Sequence, residues 1–386
     1  MANRANGNGL ARVDSYYEDY GSRARALAKE GKKSIGYISA AVPLEIISAA
    51  GFVPVRIKGD PGKAVTKADS RMETLVCPFL RSAFDLTLDG RYDYLDGIVI
   101  PHTCDSVSRT YDVWKHSVPL PYYHFLNVPH LDDGPSMEFF IHILRTFIKS
   151  LERHTGKEIS NESLKNAVEA YNENRRAMRA VYDLRKPDQP LISGVEMMKL
   201  LSAVKALPVD ESTALARKVA DEVKGRKISS PQKPVRVMLV GDQIDDTALI
   251  EIIENAGAQV VMDDLSVGSK LYFSDMEATR NPVDGIAKYY LEKVSLPTFY
   301  RDSGGSYEEN LELRFGHLKK FVSEFSVDAV ILLVYKNCDP YGFEVPATTS
   351  YVESLGTPVY YLEDEYSSSS LGRLKTRIEA FLETLA

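Results

Sequence analysis

An apolar run near the carboxyl end of the chain constrains the fold most strongly. Residues 329–336 are almost all apolar, and most of them are β-branched or aliphatic. Such a run is typical of a strand that is buried on both faces of a parallel sheet. Cys338 and Asp339 follow, and the fixed φ of Pro340 suits the start of a turn or a helix. The sequence therefore predicts a thiol at the carboxyl edge of a sheet, where open α/β folds bind ligands.

A strand–helix–strand pattern near the amino end predicts a second parallel sheet. Residues 35–39 and 53–57 are extended apolar segments. Between them, Pro43 favours a helix start, Glu45 complements the helix dipole in the first turn, and Gly51 ends the helix. Such a unit has a right-handed crossover and belongs to a parallel sheet.

Two further cysteines occupy similar positions in this amino-terminal half. Cys77 stands directly before a proline and a helical pattern. Cys104 follows an apolar strand at residues 95–101, and Asp105 and Ser106 are candidate N-caps of the next helix. All three cysteines of the chain are therefore expected near the start of a helix.

The order of elements predicts an α/β fold with two Rossmann-like or flavodoxin-like parallel-sheet domains joined by a helical segment. The predicted parts are a helical arm at 1–33, a first α/β domain at 34–134, a helical connector at 135–230 and a second α/β domain at 231–386. We interpret the Arg and Lys runs of the connector as mostly a solvated face. In the second domain we expect an irregular segment at 265–310, with a helical insert at 287–291 and a mobile or subunit-facing loop, and later a helix at 347–355.

Charge and composition exclude several classes of function. The 386 residues carry a net charge of −7 and no basic block, which argues against a nucleic-acid partner. No segment approaches the ~18 uninterrupted apolar residues of a membrane-spanning helix, and the amino end lacks the apolar core of a signal peptide. We therefore expect a cytoplasmic protein without a membrane partner. Its three cysteines are too few and too scattered for a disulfide framework.

Three common site motifs are absent. The string GKKS at residues 31–34 lacks the upstream glycine and the preceding strand of a P-loop, so we expect no ATP binding by this chain. The loop after Val240 reads GDQIDD instead of the dinucleotide fingerprint GxGxxG. His102 lies near Cys104, but no CxxC or HxxxH pair supports a zinc site.

The residues alone leave two interpretations of Cys77, Cys104 and Cys338. By residue statistics they are three buried thiols that never meet, since cysteine is among the most buried residue types. The alternative is an iron–sulfur cluster held by three thiolates with one iron left open. Helix N-termini favour the thiolate, which supports this alternative.

Six segments follow one another along the chain and carry all three cysteines. They are SAAVPLEIISAAGFVPVRI, VCPFLRSAFDL, DYLDGIVIPHTCDSVSRTYDVWK, YNENRRAMRAVYDLR, KNCDP and LKTRIEAFLE. Together they resemble the family of 2-hydroxyacyl-CoA dehydratases and ATP-dependent benzoyl-CoA reductases. The resemblance covers nearly the whole chain from Ile35 onward, and it favours the cluster interpretation.

The resemblance implies a [4Fe–4S] cluster held by Cys77, Cys104 and Cys338 in the cleft between the two domains. It also implies an acyl-CoA substrate, a sister subunit of the same fold in a heterodimer, and a separate iron–sulfur activator that hydrolyses ATP and delivers single electrons. The missing P-loop fits this division. Reducing a CoA thioester to a ketyl-type radical anion needs a strongly reducing centre, and cluster potentials reach about −700 mV.

The resemblance gives further residues possible roles. Ser39 matches a serine position before the Pro-x-Glu helix start, where it would hydrogen-bond the thioester carbonyl or an iron ligand, or else cap the helix at Pro43. His102 would donate a proton or a hydrogen bond to a cluster sulfide, or else be a satisfied histidine at the edge of the core. Lys336 and Asp339 either tune the third ligand or face solvent.

Within the family, YNENRRAMRAVYDLR and CDSVSRTYDVWK are more similar to the reductase subunits. The leading hypothesis is therefore the iron–sulfur subunit of an ATP-dependent benzoyl-CoA reductase, a dearomatising enzyme. The alternative is a subunit of an (R)-2-hydroxyacyl-CoA dehydratase that acts through a ketyl radical. A hypothesis of another class is a cluster-free cytosolic binding or assembly protein of the same fold.

Overall fold

The computed structural model describes residues 9–226, 233–241 and 243–385, and within them it contains two four-stranded parallel sheets. The strands are β1 Ser34–Tyr37, β2 Val53–Arg56, β3 Gly97–Pro101, β4 Tyr122–Leu126, β5 Val235–Val240, β6 Ala258–Asp264, β7 Ala329–Tyr335 and β8 Val359–Asp364. The two sheets have equivalent strand orders, β2-β1-β3-β4 and β6-β5-β7-β8, and every neighbouring pair is parallel. The predicted α/β fold class is confirmed.

Burial explains why the apolar runs form the inner strands. Every residue of β3 and every residue of β7 is buried, as expected for strands covered by helices on both faces. The apolar run at 329–336 is thus a central strand as predicted, and it ends at Tyr335. Lys336 already lies outside the strand and is exposed.

The described residues form fourteen α-helices. They are α1 Gly9–Glu18, α2 Ser22–Lys29, α3 Leu44–Ala49, α4 Pro78–Leu88, α5 Asp105–Ser117, α6 Gly134–Thr155, α7 Asn161–Tyr182, α8 Gly194–Ala203, α9 Val209–Lys224, α10 Ala248–Asn255, α11 Pro282–Lys288, α12 Tyr307–Glu324, α13 Asp339–Ser354 and α14 Leu371–Glu383. Among them, no helix is both long enough and apolar enough to cross a membrane.

The helices α6 to α9 link the two sheet regions through side-chain packing. Helix α7 packs against α3 of the first region, against α9 and against α11 of the second region, and α1 packs on α8 and α9. One buried apolar cluster contains residues of both regions, including Ile35 and Val330. The boundaries proposed for the arm, the connector and the two domains stay a prediction.

Two helices of the second region begin earlier than the sequence suggested. Helix α13 starts at Asp339 and continues through Pro346, whereas the predicted helix started at 347. A proline inside a helix removes one hydrogen bond without necessarily ending the helix, so α13 can continue through Pro346. Helix α11 starts at Pro282 because Asn281 caps it, and the predicted insert at 287–291 lies across its last residues and a following π-helical turn.

A buried ion pair joins α7 to α3. The guanidinium of Arg175 contacts Oε1 of Glu45 at 2.5 Å, and both side chains are almost fully buried. Tyr290 donates to the other carboxylate oxygen at 2.8 Å and accepts from the amide of Leu44 at 3.2 Å. Glu45 is therefore more than a partner of the helix dipole, because it neutralises a cation in the core.

Three basic residues of the connector are exceptions to the predicted solvated face. Arg175, Arg185 and Lys205 are buried, at 3%, 1% and 6% exposure. Arg185 lies 3.3 Å from the carboxylate of Asp263, and Lys205 donates to the hydroxyl of Tyr272 at 2.8 Å. The expectation fails at these positions because their partners come from distant parts of the chain.

We predict that Glu45→Ala lowers the free energy of unfolding by about 3–5 kcal/mol, since it leaves the Arg175 cation buried without its carboxylate. The matched control is Glu169→Ala, which removes an exposed partner of Arg176 and is expected to cost at most about 1 kcal/mol. Urea unfolding of both variants gives the comparison. Equal losses in the two variants would contradict the role assigned to this ion pair.

Candidate functional site

The two sheets offer matching ligand positions. In the first sheet the chain runs from β1 to one side and from β3 to the other side, and in the second sheet it does the same from β5 and β7. A crevice therefore opens at the carboxyl ends of each of these two strand pairs. Ser39 follows β1 and Cys104 follows β3 at the first crevice. Gln243 follows β5 and Cys338 follows β7 at the second crevice. All four residues line one cavity between the sheets, with a volume of about 340 Å³.

All three cysteines line this cavity. Each is the N-cap of a helix: Cys77 of α4, Cys104 of α5 and Cys338 of α13. In each case the carbonyl oxygen accepts from the amide four residues on, at 3.1, 3.0 and 2.9 Å. The thiols therefore lie at three positive helix ends, a setting that favours thiolates.

The structure corrects the predicted cap of α5. Cys104 has an extended backbone, and its sulfur accepts from the amide of Val107 at 3.4 Å. Asp105 and Ser106, the predicted N-caps, instead lie in the first turn and line the cavity. Cysteine is an unusual N-cap, and the usual preferences pointed to its polar neighbours.

Two residues of the site adopt a left-handed backbone. Ser39 has φ 72° and Asn337 has φ 63°, and both line the cavity. Such values are uncommon for residues other than glycine and cluster at functional sites. The hydroxyl of Ser39 accepts from the amide of Ala41 at 3.4 Å, and the N-cap of α3 is Pro43, whose side chain makes no capping hydrogen bond. Ser39 therefore does not cap that helix.

The histidine that lines the cavity is His130, and His102 lies behind it. Their rings are 4.6 Å apart, and Nδ1 of His102 lies 3.1 Å from Oδ1 of Asn127. Nε2 of His130 is 3.0 Å from the carbonyl oxygen of His102. Because a carbonyl only accepts, Nε2 of His130 carries the proton, and its Nδ1 is an acceptor when the ring is neutral. His102 thus contacts the site through His130.

His130 and Gln243 were missed by the sequence analysis. His130 lies four residues after the end of β4. His102 was selected because it directly follows a strand, and a search that extended a few residues beyond each strand would also have found His130. Gln243 gave no signal, because its partner Arg56 is far away in sequence. The guanidinium of Arg56, at the end of β2, donates to Oε1 of Gln243, and this contact joins the first sheet to the second.

A close approach of backbones lets the loop after β5 reach the cavity. A Cβ atom on Gly241 would lie 2.7 Å from the carbonyl oxygen of Leu333 in β7. Glycine at this position therefore allows the loop to pass directly over β7 and to bring Gln243 to the site.

The residues flanking Cys338 differ in their surroundings. Asp339 lines the cavity. Lys336 instead forms an exposed ion pair with Glu365 at 3.1 Å. Of the two residues predicted either to tune the third ligand or to face solvent, Lys336 faces solvent, and Asp339 is exposed but also lines the cavity.

The lining of the cavity offers three thiols as possible ligands of an iron–sulfur cluster. Among the described residues, no three His, Cys, Asp or Glu side chains are grouped around one metal ion. Such a grouping is not required here, because each thiolate of a cluster binds a different iron. Thr298 also lines the cavity, and its buried hydroxyl has no hydrogen-bond partner in the described part of the chain. Cluster binding by Cys77, Cys104 and Cys338 stays a prediction.

The sequence matches a known family over most of its length. The family model for the 2-hydroxyglutaryl-CoA dehydratase D-component matches residues 39–385. The chain belongs to this family. The predicted family and the predicted enzyme type, an aromatic acyl-CoA reductase or 2-hydroxyacyl-CoA dehydratase subunit, are thereby confirmed.

Individual members of the family are similar to the chain over nearly their whole length. A benzoyl-CoA reductase subunit of Thauera aromatica is 26% identical over 372 residues, which cover 94% of this chain and 93% of the relative. The (R)-phenyllactyl-CoA dehydratase beta subunit of Clostridium sporogenes is also 26% identical, with 93% of each chain covered. The (R)-2-hydroxyglutaryl-CoA dehydratase beta subunit of Acidaminococcus fermentans is 24% identical, with 97% and 99% covered.

We predict that Asp246, in the loop after β5, makes the free energy of unfolding depend on pH. Burial raises the pKa of Asp246 from 3.8 to about 6, although the amide of Ala248 donates to its carboxylate. The folded protein therefore binds this proton more tightly than the unfolded chain. The resulting stability is fully present below pH 3.8 and is lost as the pH rises through 6.

The Asp246→Asn variant keeps an acceptor oxygen but has no carboxyl group to ionise, so it should not lose stability as the pH rises. Its free energy of unfolding relative to the wild type is expected to rise by on the order of 2 kcal/mol between pH 4 and pH 7. Urea titrations at the two pH values measure the change. Asp221→Asn is the control, because Asp221 is 78% exposed and should show no such trend. A pH-independent effect of Asp246→Asn would refute the assignment.

Proposed function

We propose that this chain is the iron–sulfur subunit of an ATP-dependent benzoyl-CoA reductase-type enzyme, in which a [4Fe–4S] cluster reduces an acyl-CoA thioester by single electrons at low potential. One observation carries the proposal: Cys77, Cys104 and Cys338, from both sheet regions, are N-caps that line one cavity. The cavity volume of about 340 Å³ also lies in the usual range for small-molecule sites.

The residues around the thiols divide into an apolar wall and a few polar groups. The apolar wall is formed by the buried residues Ile38, Phe79, Leu80, Val107 and Leu296. It excludes water from one side of the site, which strengthens electrostatic interactions there and protects reactive species. A bound cluster would supply the low-potential electrons.

Proton movement in the site falls to the polar side chains. His130 is held by its hydrogen bond to the carbonyl oxygen of His102, so the second ring nitrogen is the one that takes up or releases a proton. Ser39 offers a hydroxyl at the end of β1, where it can orient the carbonyl oxygen of a thioester. Burial raises the pKa of Glu344, which also lines the cavity, and Arg314 opposes that shift.

The division of labour with other proteins is part of the proposal. The similar proteins are named as subunits, which supports a sister subunit of the same family as the heterodimer partner. ATP hydrolysis and electron delivery belong to a separate iron–sulfur activator, since the sequence lacks a P-loop. We place this assembly in the cytoplasm, with no nucleic-acid or membrane partner.

A second candidate is a subunit of an (R)-2-hydroxyacyl-CoA dehydratase. It is supported by the 26% identity to the (R)-phenyllactyl-CoA dehydratase beta subunit, which equals the identity to the benzoyl-CoA reductase subunit of Thauera aromatica. Both candidates use the same cluster and the same class of substrate. They differ in whether the substrate loses a hydroxyl group or its ring gains electrons and protons.

We predict that Cys338→Ala, purified without oxygen, loses the broad visible absorption and most of its iron, because one of three thiolate ligands is removed. Ser354→Ala is the matched control, since it changes the opposite end of α13 and should keep wild-type iron. Iron per chain and the visible spectrum are the measurements. Wild-type protein without about four irons would exclude the cluster proposal and favour a cluster-free binding protein, and an unchanged iron content in the variant would remove Cys338 from the site.

We predict turnover of benzoyl-CoA by the chain co-expressed anaerobically with its neighbouring genes and supplied with ATP and a strong reductant. The products of benzoyl-CoA and of a 2-hydroxyacyl-CoA are followed in parallel by chromatography. His130→Asn should slow the reaction by at least about a hundredfold if His130 transfers protons. Turnover of only the 2-hydroxyacyl substrate would replace the reductase proposal by the dehydratase proposal.

A further inference from the structure

Two more cavities lie beside the cysteine cavity in the second sheet region. The first, of about 40 Å³, shares Leu296, Pro297, Tyr341 and Glu344 with the cysteine cavity. The second, of about 250 Å³, adjoins the first through a group of polar residues at the carboxyl end of β6. Their shared lining residues place the three cavities next to one another, in a row that ends at the three thiols.

The larger of these two cavities is rich in positive charge. Lys270, Lys293, Arg301 and Lys320 line it together with His317, and its acidic residues are Asp264 and Glu292. The chain as a whole carries a net charge of −7. An excess of cations around a cavity in an acidic protein indicates attraction of an anion.

The carboxylate in this group lies beside a lysine and a histidine. Asp264 lies 2.5 Å from the ammonium of Lys270 and 3.3 Å from Nε2 of His317. These neighbours hold the pKa of Asp264 well below its usual value despite burial. Its charge therefore does not compensate Arg301 or the two exposed lysines.

Arg301 is buried with part of its guanidinium unsatisfied. Its Nη2 donates to the carbonyl oxygens of Leu291 and Glu292, in the π-helical turn after α11. Its Nε has no hydrogen bond among the described residues, and the carboxylate of Asp132 is 3.6 Å away. Burial lowers the pKa of Arg301, as expected for a cation that is incompletely compensated.

One further polar atom at this cavity has no hydrogen-bond partner in the described part of the chain. It is Oγ of Ser269, in a residue that is 2% exposed. Buried polar atoms are normally satisfied, so such an atom is expected to bind a ligand or a water. Together with Nε of Arg301, it provides donors from two separate segments of the chain.

We propose that this cavity, defined by Ser269, Lys270, Arg301 and His317, binds a phosphoryl group. A phosphate supplies several acceptor oxygens with negative charge, and a guanidinium is well suited to it. The exposed Lys293 and Lys320 attract the anion to the mouth of the cavity. Neither the cysteine ligands nor the family resemblance assigns a role to these residues.

The phosphoryl group could come from either of two molecules. Under the proposed function, on which this step rests, it belongs to the coenzyme A part of the substrate, whose acyl end occupies the cysteine cavity. The other source is inorganic phosphate. The two share the same recognition chemistry, and binding measurements with different probes distinguish them.

The test is calorimetric titration of the full chain with inorganic phosphate, coenzyme A, 3′-dephospho-coenzyme A and pantetheine. The wild type should bind phosphate or coenzyme A, and not pantetheine. Coenzyme A binding that weakens without the 3′-phosphate identifies the coenzyme as the source, and binding of phosphate alone identifies the free anion. No binding of any phosphorylated probe at millimolar concentration would overturn the proposal.

Two variants locate the binding site. Arg301→Gln should weaken binding at least about tenfold, because it removes a charge-assisted hydrogen bond. The double variant Lys293→Gln/Lys320→Gln changes only exposed side chains, so it stays folded, and it should weaken binding about threefold at low salt. Lys375→Gln, with a 60% exposed lysine on α14, is the matched control. Unchanged affinity in both site variants would refute the location.

Iron content separates this proposal from the proposed function. Arg301→Gln should keep wild-type iron, since Arg301 does not line the cysteine cavity. Cys338→Ala should keep phosphate affinity while it loses iron. Loss of phosphate binding in Arg301→Gln with retained iron thus tests the anion site alone.

Discussion

The site depends on one constraint of parallel sheets, namely that adjacent strands with opposite crossovers leave a crevice at their carboxyl ends. Both sheets of this chain have this arrangement between their first and third strands, and the two crevices open on the same cavity. The helices that follow β3 and β7 start immediately at Cys104 and Cys338. Thiols from two distant parts of the sequence thereby meet at positive helix ends.

The two sheet regions must be held together for such a cavity to keep its shape. Glu45 of the first region is bonded to Arg175 of α7 and to Tyr290 of the second region. Arg56 at the end of β2 also bonds Gln243 in the second region. Loss of the Glu45 contact would leave the Arg175 cation buried without its carboxylate, so alignment of the two halves is energetically favoured.

Local patterns were sufficient to predict the strands and the thiol positions. The apolar run at 329–336 has no alternative to a buried strand, and a cysteine that follows it must lie at the sheet edge. The burial of Arg175 and the place of Gln243 depend on partners far away in sequence. No periodicity or propensity carries such information.

Helix α13 lines the thiol cavity and packs against α12, which lines the cation-lined cavity. It begins after Cys338, and its Glu344 lines the cysteine cavity and the small adjoining one. Arg314 of α12 forms an ion pair with Glu344, and Tyr351 of α13 donates to Glu312 of α12 at 2.7 Å. Two contacts thus fix α13 against α12, which also carries His317. A displacement of α12 by a bound anion would therefore move the helix that positions the third thiol.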